Sequence, residues 1–134
     1  MPPTFSGPFP ILTVPDLPST VRFYRRCFGF APGYRWPAEA TLDETEFIVV
    51  RLGGHEVGFG RAAASDAGHD WSGIQLSIRV DDIHEAWDWV MRHGATAIEP
   101  PVQQPWDEWS AFVADPNGIR VMLYAPVQAT RASD

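Results

Sequence analysis

The spacing of apolar residues in the first half of the chain changes from two to three-and-four and back to two, which predicts strand, helix, then strands. The apolar run Pro10-Ile11-Leu12-Thr13-Val14 is followed by Leu17, Val21, Tyr24 and Phe28 on one helical stripe, with Arg22, Arg25 and Arg26 off it. A strand is expected over about Phe9 to Thr13, at an edge or a strand start, because Pro10 cannot donate to a ladder. Asp16 reads as a helix N-cap with Pro18 in the first turn, and the helix should stop at Phe28-Gly29. Next come a strand from Phe30 to Trp36, a polar turn from Glu39 to Glu44, a strand from Phe47 to Leu52, a tight turn at Gly53-Gly54 and a strand from His55 to Gly60.

The second half repeats this order. Ile74 to Val80 leads into Asp82 as a second N-cap, and Ile83, Ala86, Trp87, Val90 and Met91 form a stripe that ends with Gly94 as C-cap. Strands are expected over about Ala95 to Glu99, Trp109 to Ala114 and Arg120 to Tyr124. Pro100, Pro101 and Pro105 predict a stiff extended loop between the first two, carrying Trp106, Asp107, Glu108 and Trp109. Aligning Asp16 with Asp82 pairs Leu17 with Ile83 and Val21 with Trp87, and brings the Gly53-Gly54 turn into register with Asp115-Pro116-Asn117-Gly118. The pattern is a duplication of a βαβββ module within an α+β chain, one module over residues 8–60 and the other over 73–125, joined by a small, polar linker at 61–72.

Composition narrows the partners. A chain of 134 residues is one domain's worth, and a net charge of -7 with no basic block argues against nucleic acid. No apolar stretch approaches the length of a membrane helix and the first residues lack a secretory pattern, so a cytoplasmic protein with no membrane partner is expected. The single Cys27 lies among apolar helix positions and reads as a small buried hydrophobe, in keeping with a reducing compartment. Six Trp and eight Phe exceed what so small a core requires, which makes some of them candidates for a ligand cleft. If that ligand is charged, the acidic balance favours a cation. The four histidines, at a hairpin turn (His55), in the linker (His69), at a helix start (His84) and at a helix end (His93), show no pair at metal-ligand spacing.

Gln104-Pro105-Trp106 and Phe112-Val113-Ala114-Asp115-Pro116-Asn117-Gly118, taken with Pro10-Ile11-Leu12-Thr13 and Val21-Arg22-Phe23-Tyr24 through Phe28-Gly29-Phe30, resemble the glyoxalase/bleomycin-resistance/dioxygenase, or vicinal oxygen chelate, superfamily. Within it the likeness is nearest to the bleomycin-resistance proteins and runs from about Phe9 to Tyr124. The resemblance implies two paired βαβββ modules with curved mixed sheets around a cleft, and a homodimer that binds ligand in shared crevices and often exchanges its first strand about a proline such as Pro10. Metal enzymes of this kind place ligands on the first and last strand of each module. The matching positions here are Phe9, Gln75, Gly58 and Met122, a set with at most one weak oxygen donor, so no metal and no cofactor is expected.

The family pattern after the Pro-Trp pair is Gly-Arg-Glu-Phe, whereas this chain has Asp107-Glu108-Trp109-Ser110-Ala111-Phe112, one residue longer and more acidic. This argues against bleomycin itself and leaves a flat ligand that is cationic or donates hydrogen bonds. The function implied is sequestration of an aromatic or peptide-like natural product, with Trp106 as a stacking wall. The expected ligand surface is Trp36, Phe47, Glu56, Gly58, Phe59, Gln75, Trp106, Asp107, Trp109 and Met122. The rival is a metal-independent lyase, isomerase or cyclase using Glu56, Asp107 or Glu108 as acid or base. Glu56 reads equally as base, cation site or solvated strand residue, and Gly58 and Gly60 equally as an opening of the cleft or a bend in the sheet.

Overall fold

The computed structural model describes residues 2–63 and 70–127, so most of the linker, including His69, and the last seven residues lie outside the described residues. The first half contains strand β1 (Ile11–Val14), helix α1 (Leu17–Phe28), β2 (Ala31–Trp36), a single 3-10 turn at Leu42–Glu44, β3 (Phe47–Leu52) and β4 (His55–Arg61). The second contains β5 (Gln75–Arg79), α2 (Ile83–Arg92), β6 (Thr96–Gln104), β7 (Glu108–Ala114) and β8 (Arg120–Pro126). Each half makes its own four-stranded mixed sheet, β1-β4-β3-β2 and β5-β8-β7-β6, in which the first strand runs parallel to the last. These are the two βαβββ modules of an α+β fold. No helix among the described residues is long and apolar enough to cross a membrane.

Both helices start as the sequence predicts. The Asp16 carboxylate accepts from the Ser19 N–H at 3.1 Å, and the Asp82 carboxylate accepts from His84 and Glu85. Helix α1 ends at Gly29, whose φ of 79° is left-handed and frees its N–H to bond the Arg25 carbonyl at 3.0 Å. In α2 the cap is His93 instead of Gly94; Gly94, with φ 102°, is the residue after it.

The second module differs from expectation in one element. Strand β6 runs nine residues to Gln104, straight through Pro100 and Pro101, where the sequence suggested a loop. It is the edge strand, bonded only to β7, so prolines can leave the ladder there, and the pairing shifts register on both sides of Glu99 to accommodate them. The connection to β7 shrinks to a turn at Pro105 to Asp107, and Trp109 belongs to β7 itself.

One core joins the two modules. Leu12, Val14, Val57 and Phe59 from the first sheet and Ala111, Val113, Val121 and Leu123 from the second are buried on the faces that carry the helices. Trp71, assigned to the linker by sequence, is buried with them. Helix α1 is the shared element: it buries Leu17, Thr20, Val21, Phe23, Tyr24 and Cys27, whereas α2 fully buries only Ile83 and Val90. The Tyr24 hydroxyl donates to the buried Asp115 carboxylate at 2.8 Å, and the Asn117 amide donates to Thr20 at 2.9 Å, tying α1 to the β7–β8 turn of the other module. Burial, and then the neighbouring Asp115 carboxylate, hold the Tyr24 phenol far above its usual ionisation range. The Trp89 indole bonds the Cys27 carbonyl at 3.0 Å, joining the two helices. Cys27 is buried as expected, and its thiol is pushed up by that burial.

Candidate functional site

Alternation along each strand gives each sheet a second face, turned away from the helices. On β4, Val57 and Phe59 point into the core, so Glu56, Gly58 and Gly60 occupy the outer face. The register places Ile11 and Val49 beside Gly58, Arg51 beside Glu56, and Phe47 between Gly60 and Trp36. Trp36, Phe47, Glu56 and Gly58, all expected at the ligand surface, therefore do share one face. On the second sheet Gln75, Ser77, Arg79, Met122 and Tyr124 share the corresponding face, and the Gln75 amide nitrogen lies 3.9 Å from the Met122 sulfur.

Phe59 and Trp109 lie elsewhere. Phe59 is fully buried, its ring centroid 5.1 Å from that of Tyr24, because its position on β4 is in phase with Val57. Trp109 alternates with Ser110 on β7 and packs against the core side, edge-on to His84 at 4.9 Å. Trp106 stands on the β6–β7 turn, 64% exposed, with its indole N–H donating to Glu108 at 3.1 Å. Asp107 takes the left-handed φ of 62° that closes this turn, a conformation aspartate tolerates better than most residues.

Gly58 is not an opening. A Cβ added there would lie 3.1 Å from Ile11 Cγ1 and 3.1 Å from two atoms of the Phe47 ring, so both side chains fold over the bare backbone. The glycine is needed for this close approach, and the space it leaves is filled.

Two of the three candidate carboxylates are engaged. Glu56 pairs with Arg51 at 3.0 Å, and Glu108 accepts from Trp106. The Arg51–Glu56 pair is about half exposed, so it orders the two side chains and contributes under ~1 kcal/mol to stability.

A cavity of about 780 Å³ lies between the two modules, where β1 and β5 are both edge strands. Gly7 to Pro10 form one wall, the Leu52 to Val57 hairpin another, and Leu76, Ser77, Ile78, Arg79 and Tyr124 the third. Of the expected ligand residues only Glu56 reaches it. Phe9, Ser77, Arg79 and Tyr124 were missed as cavity residues, yet a signal existed: Ser77 and Arg79 follow Gln75 at steps of two, and Tyr124 follows Met122 in the same way.

The sequence profile of the Glyoxalase/Bleomycin resistance protein/Dioxygenase superfamily matches residues 8–123, and the chain belongs to that superfamily. No curated protein matches it in sequence. Among solved structures it resembles TioX from Micromonospora sp. ML1, at 24% identity over 92% of this chain and 98% of that one, with a TM-score of 0.69. It also resembles a glyoxalase/bleomycin resistance protein/dioxygenase family enzyme from Burkholderia phytofirmans PsJN, at 18% identity over 89% and 97% of the two chains, TM-score 0.73. A third similar structure is protein ATC0852 from Agrobacterium tumefaciens, at 23% identity over 92% and 100%, TM-score 0.69. At these identities the likeness speaks for the fold alone.

The metal positions implied by the resemblance do not offer a donor set. Phe9 presents a ring, Met122 a thioether, and Gly58 no side chain under the lid made by Ile11 and Phe47. Gln75 alone carries an oxygen, too little for a hard divalent ion. Among the described residues no three His, Cys, Asp or Glu side chains come together as a metal site.

Proposed function

We propose that this chain is a binding protein of the bleomycin-resistance type that sequesters a small aromatic or peptide-like natural product, without metal or cofactor and without turnover. The observation that carries the reading is the set of large aromatic side chains left in solvent: Tyr34 at 61%, Trp36 at 56% and Trp106 at 64% exposure. Exposed indoles are the side chains on which flat ligands stack, and large apolar rings left in solvent mark interaction surfaces. Their cover is a bound ligand together with a second copy of the chain, in a homodimer whose outer sheet faces meet. A cytoplasmic location and a role in self-protection belong to the same proposal. The acid-base rival is less well supported, because Glu56 is held by Arg51 and Glu108 by Trp106, which leaves it Asp107 on the exposed β6–β7 turn.

Tryptophan-fluorescence titration against glycopeptide, quinone and thiazole-containing antibiotics tests this. Trp36→Ala and Trp106→Ala should each weaken the best ligand by about tenfold or more, since a stacked indole lies at the hot-spot end of the range. Mass spectrometry should recover every ligand unchanged. Conversion of one ligand, lost in Glu56→Gln or Asp107→Asn, would replace sequestration with catalysis.

A further inference from the structure

The charges around the inter-module cavity carry an inference about the ligand's own chemistry. Arginine is abundant in this chain, and nearly every arginine among the described residues is occupied. Arg51 pairs with Glu56, Arg22 approaches Asp43, and Arg26, Arg35, Arg61 and Arg92 donate to backbone carbonyls. Arg120 lies over the Phe112 ring at 4.4 Å. Two remain whose side chains have no such partner among the described residues, Arg25 and Arg79. Arg25 is accounted for by its place in the last turn of α1, where a cation answers the helix dipole. Arg79 has no such explanation: it is on strand β5 and lines the cavity.

Its surroundings are those of an anion seat. The register sets Tyr124 beside Arg79 on the outer face, with Ser77 two residues back, so one guanidinium and two hydroxyls border the same space. The other charged group in the cavity is Glu56, already neutralised by Arg51, and the remaining titratable neighbour is His55. Phe9, Pro10, Phe30 and Leu52 supply apolar walls. We propose that this cavity binds a flat organic anion, an aromatic carboxylate or its like, with Arg79 holding the charged group, Tyr124 and Ser77 donating to it, and Phe9 against the ring. The proposal rests on the sequestration reading and assigns its ligand a charge opposite to the one suggested by the acidic balance of the chain. The groups bordering the cavity outweigh the overall charge because fixed charges elsewhere are screened beyond about 8 to 10 Å in ordinary salt.

Three compounds sharing one ring system separate the possibilities: naphthalene carboxylate, the neutral carboxamide and naphthylmethylammonium, titrated against the full chain by calorimetry. The carboxylate should bind at least about tenfold more tightly than the amide, a charge-assisted hydrogen bond being the difference. Arg79→Gln should remove that advantage and bring carboxylate and amide to similar affinity, with circular dichroism confirming the fold. Tyr124→Phe should remove a smaller part of it. Equal binding of carboxylate and amide, or tightest binding of the ammonium, with Arg79→Gln silent, overturns the anion seat and leaves sequestration standing. If no naphthalene compound binds, the cavity is not a ligand site. Sequestration then stands or falls on the antibiotic titrations alone.

Discussion

The two sheets share a frame and differ in what they turn to solvent. Both run first strand beside last with the helix on one side, and the buried faces are alike: Leu12, Val14, Val57 and Phe59 in the first, Ala111, Val113, Val121 and Leu123 in the second. The outer faces diverge. The first carries Ile11, Tyr34, Trp36 and Phe47, with the aromatic ring of Phe47 lying over Gly58. The second carries Gln75, Ser77, Arg79, Met122 and Tyr124. Packing constrains one side of each strand and leaves the other free to vary, and in this chain the first module turns large aromatic side chains outward where the second turns mostly polar ones.

Five measurements would break or sharpen that contrast. Phe59→Ala should cost about 3 to 5 kcal/mol in urea denaturation, because the ring is fully buried against Tyr24; a near-neutral result would mean that the faces have been assigned the wrong way round. Asp115→Ala should cost about 3 kcal/mol, since it strands the Tyr24 hydroxyl and the Ile119 N–H in the core. A small loss would show that the two modules do not depend on this link.

Gly58→Ala should cost roughly 1 to 3 kcal/mol through overpacking against Ile11 and Phe47, and Phe47→Leu in the same chain should recover part of it. Met122→Ala, at the matching place in the second sheet, should cost less. Equal costs would deny that the two outer faces differ.

Tyr24→Phe should cost about 1 kcal/mol near neutral pH. Its effect on pH dependence is the sharper test. The folded chain keeps a phenol proton that the unfolded chain releases around the ordinary value of 10.0, so this contribution is complete below that pH and fades as pH rises past it. The wild type should therefore lose stability more steeply between neutral and strongly alkaline pH than Tyr24→Phe does. Parallel profiles would mean that the hydroxyl is not buried beside Asp115.

The smallest effect is expected at Trp106→Ala, within about 0.5 kcal/mol of wild-type stability, because the side chain stands in solvent on a turn. A large loss would make it a core residue and remove it from the recognition surface.

Local signals determined much of the fold. Asp16 and Asp82 as caps, Gly29 at a left-handed helix end, the Gly53-Gly54 hairpin and the step from period two to period three-and-four are written in neighbouring residues, and the repeat places the modules. Period two also separates the faces of a strand, but where both carry aromatics it does not tell which is buried. Phe59 and Trp109 were therefore expected in a cleft; Phe59 is buried against Tyr24 of α1 instead, and Trp109 turns to the side of α2 beside His84, where it stays partly exposed. Pro100 and Pro101 read locally as a loop; they sit in a strand because β6 is at the edge of its sheet, and strand order is a long-range property. The space over Gly58 depends on Ile11 and Phe47, residues distant in sequence that meet only across the ladder. The cavity at Arg79 exists for the same reason: it lies between edges of separate modules, which are held together by the shared core and by the bonds of α1 to the β7–β8 turn.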